Sequence, residues 1–226
     1  MLIGVFSDAH GHEAGYVLAR EELRARGSEK LLFLGDAVGY IPDPAVVRHL
    51  LADDIPWVKG NHEVKILTAD VSDEHEPQYR HVEVREQLTA DEIKKIEALP
   101  ERIEKNLDGR DCLFVHGSPN DDTNGYVYPD TDLSAFLNME FDIAFMGHTH
   151  HPFVRREGGK IFVNVGSCGL PRDDTRMGCA ALYDTRNHKA ELVHFDLSEA
   201  SQSVLNRFDL AAPVRQALEK TLRHET

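Results

Sequence analysis

A short apolar run that ends in a glycine, or directly in a carboxylate, amide or imidazole, recurs five times in the first 150 residues. Leu31-Leu32-Phe33-Leu34-Gly35 leads into Asp36. Leu2-Ile3-Gly4-Val5-Phe6 leads to Asp8 and His10, and Trp57-Val58-Lys59-Gly60 leads to Asn61 and His62. Cys112-Leu113-Phe114-Val115 leads to His116, and Ile143-Ala144-Phe145-Met146-Gly147 leads to His148 and His150. Apolar runs of four or five residues bounded by turn residues read as buried strands. In open α/β sheets the carboxyl ends of the strands are where ligands bind. The pattern therefore predicts a sheet protein whose strand ends converge on one site.

The stretches between the runs carry the helical period. Ala14, Val17, Leu18 and Ala25 share one helical face, with Gly27 as a stop. Asp43-Pro44 opens a second helix, with Asp43 as N-cap and Val46, Val47, Leu50 and Leu51 on one face. Strands over 2–6, 31–34 and 56–59 with helices between them predict parallel pairing through crossovers. Thr89-Ala90-Asp91-Glu92 is a capping box ahead of a short helix. Strands near 102–106 and 111–115 flank the turn Asp108-Gly109, and a helix at Leu133–Leu137 precedes strand 142–146. Beyond His150 hairpins take over, with strands near 153–156, 160–165, 178–183 and 189–195. The polar stretch within 64–88 reads as irregular surface structure forming a flap over the site. A helix is expected over about 213–224, with Val214, Leu218 and Leu222 on one side, free to pack on the chain's own body or in a homodimer. One domain over 1–226 is the economical reading.

Composition narrows the classes. A net charge of −14 excludes a partner held mainly through phosphate-backbone contacts, which needs clustered Lys and Arg. The cysteines Cys112, Cys168 and Cys179 lack the paired spacing of a zinc or disulfide framework. The apolar start Met1–Phe6 is too short for a signal peptide, and no run reaches the roughly 20 apolar residues of a membrane span. A cytoplasmic protein is expected.

Hard divalent cations take carboxylate oxygen, and borderline transition metals also take imidazole. Asp8-x-His10 puts two such groups on one loop, facing the same way if the segment is extended. The Asp36 carboxylate has lone pairs enough to bridge two cations, and Asn61 offers a neutral oxygen.

The series Asp8-x-His10, Gly35-Asp36, Gly60-Asn61-His62-Glu63, His116-Gly117 and Gly147-His148-Thr149-His150 resembles the calcineurin-like metallophosphoesterase superfamily. Gly35–Tyr40 with Pro42 and Pro44, together with Val165-Gly166-Ser167 and Gly169-x-Pro171-Arg172-Asp173, resembles its small bacterial and archaeal phosphodiesterase branch. The resemblance implies an α/β fold, a two-sheet β-sandwich flanked by helices. It implies two divalent metal ions, chosen among manganese (Mn2+), iron (Fe2+ or Fe3+) and zinc (Zn2+). Asp8, His10, Asp36 and His150 would hold the first, and Asp36, Asn61, His116 and His148 the second. A hydroxide between them would attack phosphorus in line, with His62 as general acid on the leaving oxygen. The implied substrate is a small phosphodiester or dinucleotide. The alternatives are a protein or small-molecule phosphomonoesterase, and a catalytically silent interaction scaffold.

The chain departs from the family pattern at three positions. Many relatives carry an Asp that orients the catalytic histidine, and here that position is Gly39; Glu63 is one candidate to orient His62 instead. Glu63 itself stands where Asp is commoner. His12 stands where relatives often carry Asn, which makes it a candidate substrate contact. Arg172 is a candidate phosphate clamp, since a guanidinium matches phosphate oxygens bidentately.

Overall fold

The computed structural model describes residues 1–173 and 176–222. Two mixed sheets face each other. The first contains β1 (Leu2–Phe6), β2 (Lys30–Phe33), β8 (Gly178–Asp184) and β9 (Lys189–Phe195), in the order β2-β1-β8-β9. The second contains β3 (Arg102–Leu107), β4 (Arg110–Val115), β5 (Ile143–Met146), β6 (Phe153–Glu157) and β7 (Lys160–Asn164), in the order β3-β4-β5-β7-β6. β1 pairs parallel with β2, and β4 with β5, so the carboxyl ends of all four open on the same kind of edge. The expected strand over 56–59 is reduced to a single bridge from Phe33 to Trp57.

Alternation along the strands separates the core layers. Ile3 and Val5 of β1 face the second sheet, where they meet Phe114, Phe145, Ile161 and Val163, with Tyr183 of the neighbouring β8 in the same layer. Phe6 faces the other way, onto Tyr16, Ala19 and Leu23 of α1 (Glu13–Ala25) and Val46, Val47 and Leu50 of α2 (Ala45–Ala52). Each such fully buried large apolar side chain contributes roughly 1.5–3 kcal/mol. The outer face of the second sheet is covered by Val127, Leu133, Phe136 and Phe141, from the connection between β4 and β5. The helix expected there is one 3-10 turn, Ser134–Phe136.

The segment 64–88 is not irregular. It continues α3 (Asn61–Leu67) and contains α4 (Glu76–Tyr79) and α5 (His81–Gln87), and it buries His81 and Val84. A polar stretch conceals these short helices because α4 buries no residue and α5 only two. The capping box at Thr89 and Glu92 opens α6 (Ala90–Glu97). At the C-terminal end, α7 (Ser198–Arg207) and α8 (Ala212–Thr221) pack on Ile41 and Leu170 through Val204, Leu205, Val214 and Leu218. The apolar stripe of the tail is thus buried within the same chain, which removes it as a ground for a homodimer. The tail helix was expected to reach position 224, and positions 223 and 224 lie outside the described residues.

Candidate metal centre

The five strand ends meet in one buried cluster. The loops after β1 and β2 continue the strand ladder: the Asp8 amide donates to Gly35 O (3.1 Å), and the His10 amide to Asp36 O (2.9 Å). Asp8, His10, Asp36, His148 and His150 all adopt left-handed backbone conformations, with φ of 57°, 51°, 56°, 66° and 59°. The two-apart ligands therefore converge through tight left-handed turns, not through an extended segment. Such conformations cost non-glycine residues about 1 kcal/mol or more each and concentrate at functional sites. Gly60 is required where it stands, because a Cβ there would lie 2.2 Å from Asp36 Oδ1.

Each carboxylate anchors one oxygen and offers the other. Asp36 Oδ1 accepts the His62 amide N–H at 2.9 Å, and Asp8 Oδ2 accepts that of His148 at 3.0 Å. The free oxygens face imidazoles. Asp8 Oδ1 lies 3.2 Å from His150 Nε2 and 3.7 Å from His10 Nε2. Asp36 Oδ2 lies 3.3 Å from His116 Nε2 and 3.7 Å from His10 Nε2, so this one atom borders two donor groups. The first group is Asp8, His10 and His150, and Asp36 meets His10 and His62 in an overlapping one. The second is Asp36, His116 and His148, and Asn61 Oδ1 joins it 3.1 Å from His116 Nε2. His148 and His150 fall in different groups.

The hydrogen bonds on the far side of each ring say what these groups fit. Nδ1 of His10, His116 and His150 each faces a backbone carbonyl, those of Val38, Leu34 and Leu170. A carbonyl can only accept, so the proton of each neutral ring sits on Nδ1 and Nε2 presents a lone pair inward. His10 Nε2 and His150 Nε2 are 3.0 Å apart, with no proton to share between them. Asp8 Oδ1 is buried and accepts no hydrogen bond. Lone pairs and a bare carboxylate oxygen aimed at a common point, buried from water, fit cations and little else.

The electrostatics agree. Burial works to raise the Asp36 carboxyl, but the facing His116, His62 and His10 rings hold it far below the usual carboxylate range. Asp8 is likewise held down by His150 and His116 against burial. Burial pushes His148 and His150 down to about 4, which leaves them neutral and able to ligate. Burial disfavours the charged form of His116 too, yet Asp36 and Asp8 outweigh it and push that ring up to about 9.

The remaining candidates fall out differently. His62 is 4% exposed, and its Nε2 lies 3.9 Å from Asp36 Oδ2, at the edge of the cluster. Burial pushes its pKa well below the ordinary imidazole value, against the pull of Asp36. Glu63 does not touch His62. Its Oε2 accepts the amides of Asp36 (2.7 Å) and Gly60 (2.8 Å), and its Oε1 that of Ala37 (2.7 Å). It ties the Asp36 loop to the Asn61 loop. Burial and Asp36 push it up to about 7.

His12 is not placed to contact a substrate. It is fully buried as the N-cap of α1, with Nδ1 accepting the Gly15 amide at 3.0 Å and Nε2 3.4 Å from Ser201 Oγ. Arg172 is exposed at the rim and donates to Tyr40 Oη at 3.0 Å; the Tyr40 ring is 4.7 Å from His10 and 5.0 Å from His62. Nothing in the sequence marks His81 off from an ordinary loop residue. The structure buries it with its Nε2 2.8 Å from His62 Nδ1. The signal was Gly39, which left His62 without its usual partner.

Comparison with known proteins gives a consistent result. The family model for the calcineurin-like phosphoesterase superfamily domain matches residues 1–188. An uncharacterized protein of Methanocaldococcus jannaschii is 27% identical over 226 residues, covering 90% of this chain and 92% of its own length. A metallophosphoesterase structure from Sphaerobacter thermophilus superposes with a TM-score of 0.80 at 22% identity, covering 98% of this chain and 99% of that one. A hypothetical protein from Pyrococcus horikoshii gives 0.78 at 19%, with 96% and 97% covered. The family depends on two metal ions, and the paired donor groups around Asp36 are what such a pair requires of a protein. This chain belongs to the calcineurin-like phosphoesterase superfamily.

Proposed function

We propose that the protein hydrolyses phosphodiesters or nucleotide phosphoanhydrides with two divalent cations, using His62 as general acid. The observation that carries this reading is Asp36 Oδ2, which borders both donor groups while its partner oxygen is fixed to the His62 backbone. Asp8, His10, His150 and Asp36 would hold one cation, and Asp36, Asn61, His116 and His148 the other. The carboxylate, amide and imidazole donors suit manganese, iron or zinc. Two bound cations would lower the pKa of a water to near neutral and neutralise charge on the phosphoryl oxygens.

The chain's own groups do the rest. His62 Nε2 faces the bridging carboxylate, within reach of an ester oxygen leaving from phosphorus there. Arg172 serves as a phosphate clamp from the rim, braced by the Tyr40 hydroxyl, whose ring packs on that of His62. Tyr126 packs its ring 4.2 Å from that of His148 and is 57% exposed, with Tyr128 stacked 6.1 Å away. Exposed aromatic rings at the mouth of a phosphate site favour a substrate that carries a flat organic group, as a nucleotide does.

The test is turnover of bis-(p-nitrophenyl) phosphate and a dinucleoside polyphosphate by metal-stripped protein, with manganese, zinc or iron returned. p-Nitrophenyl phosphate serves as the monoester, and Asp36→Asn runs in parallel. Metal-dependent cleavage of the diester or anhydride, abolished in the variant, is the expected result. Faster monoester turnover would move the assignment to a phosphomonoesterase, and no turnover with any metal would defeat it.

A further inference from the structure

The partner that orients His62 comes from α5. Both rings are buried, at 4% and 3% exposure, and the bond between His62 Nδ1 and His81 Nε2 is 2.8 Å long. Nothing can be built at position 39 to take its place. Gly39 has φ of +93°, and a Cβ there would lie 2.1 Å from His62 Nδ1. The backbone of Gly39 thus abuts the nitrogen that needs a partner, and His81 reaches it from another element.

His81 is itself held. Its amide and that of Val82 donate to the two carboxylate oxygens of Glu76, at 3.0 and 2.9 Å. Arg80, just before it, turns the chain with a left-handed φ of 57°. The carbonyl of Tyr79 accepts the Tyr40 amide at 2.8 Å, which ties the end of α4 to the loop after β2. The rings of Tyr40, Tyr79 and His10 stand 5.0, 5.3 and 4.8 Å from His62 and close the remaining sides.

We propose that His81 is the positioning residue for His62, its Nε2 accepting the Nδ1–H so that Nε2 of His62 carries the exchangeable proton. This rests on the reading that His62 acts on the leaving oxygen. The direction of the bond follows from the chemistry. An imidazole that gains and loses a proton at Nε2 keeps its other proton on Nδ1 throughout, so Nδ1 needs an acceptor. A His81 that donated would set N–H against N–H whenever His62 was charged. In the step itself, an anionic phosphate ester against the ring favours its charged form, and the proton on Nε2 passes to the leaving oxygen as the P–O bond breaks. That returns neutral His62 protonated at Nδ1 and still bonded to His81. The segment 64–88 is in this account part of the catalytic apparatus and not a cover for it.

The test uses His81→Phe, which keeps an aromatic ring and removes the acceptor, and His81→Gln, whose amide oxygen can accept. Steady-state kinetics are compared on bis-(p-nitrophenyl) phosphate, whose leaving group needs little protonation, and on a dinucleotide whose leaving group is a sugar hydroxyl. For His81→Phe the expected result is a kcat loss of about 10–100-fold on the dinucleotide, a few-fold on the aryl ester, and KM within about twofold on both. His81→Gln should recover most of the loss. A parallel readout needs no turnover: nitrogen-15 NMR of metal-free protein at fixed pH, with His62 assigned through His62→Gln. Neutral His62 should be protonated at Nδ1 in wild type, and should lose that preference in His81→Phe. Equal losses on both substrates, no rescue by Gln, or a His62 protonated at Nε2 in wild type would each overturn the proposal. If wild type cleaves no ester while the NMR result holds, the hydrolase reading fails and the contact stands.

Discussion

Glu63→Gln tests how the metal centre is held together. The carboxylate accepts three buried amides, two on Oε2 and one on Oε1. A glutamine has one acceptor oxygen. Its best orientation keeps the amides of Asp36 and Gly60 and turns an NH2 group onto the Ala37 N–H. That buried donor is left unpaired, at about 1–3 kcal/mol. The two bonds that survive lose their charge assistance, roughly 0.5 kcal/mol each. The sum is roughly 2–4 kcal/mol. At about 2–4 °C per kcal/mol for a chain of this size, Tm should fall by roughly 4–16 °C. The effect should reach the metal as well, because the same bonds set the left-handed turn at Asp36 (φ 56°). The control is Glu92→Gln, the same substitution at a helix cap on the surface, where Glu92 accepts the Thr89 amide at 2.8 Å. It should cost about 0.5 kcal/mol. The assay is thermal unfolding of manganese-loaded protein with metal titration alongside. A Glu63→Gln protein that melts within about 2 °C of wild type, and binds manganese equally, would refute the argument.

Three other outcomes follow from the same geometry. His12→Ala removes a helix cap and leaves a cavity, so it should lower stability by about 1–2 kcal/mol in denaturant titration while kcat and KM stay near wild type; a large kinetic effect would return His12 to the substrate site. Gly39→Ala places a methyl against His62 at a left-handed φ of +93°, and should cut turnover at least tenfold while manganese binding persists, as read by kinetics and metal titration. The metal-free protein should lose stability as pH rises from about 7 to 9, above the range in which the depressed His148 and His150 act the other way. Glu63 is raised from an ordinary 4.5 to about 7 and His116 from 6.5 to about 9. Each stabilises the fold fully below its unfolded value and loses that contribution as pH passes its folded one, up to roughly 3 kcal/mol apiece. Asp8 and Asp36, held low, act oppositely and weaken the metal-free fold only as pH falls below the usual carboxylate range. Melting curves across pH with a chelator present read the net slope, and a Tm that rose between pH 7 and 9 would contradict it.

The sequence by itself determined the positions of the strand ends and the kinds of groups they present. That information is local. A buried strand needs an apolar run, and a ligand at its carboxyl end must follow within a residue or two, so Asp8, Asp36, His116 and His148 stand in plain view. Turn chemistry is equally local, and Asp108-Gly109 and Gly158-Gly159 form their hairpins with positive φ at both positions. The tertiary structure alone decided which atoms meet. The backbone carbonyls of Val38, Leu34 and Leu170 set the tautomers that aim three imidazole lone pairs inward, and they lie 28, 82 and 20 residues from the rings they orient. Glu63 became a clamp on backbone amides because the loops around it were drawn together. His81 met His62 because α5, in a polar stretch with no strong period, buried just its inward residues. Periodicity reports which face of an element is apolar. Which polar atoms face one another after the chain has closed over long separations depends on packing, and no local pattern encodes it.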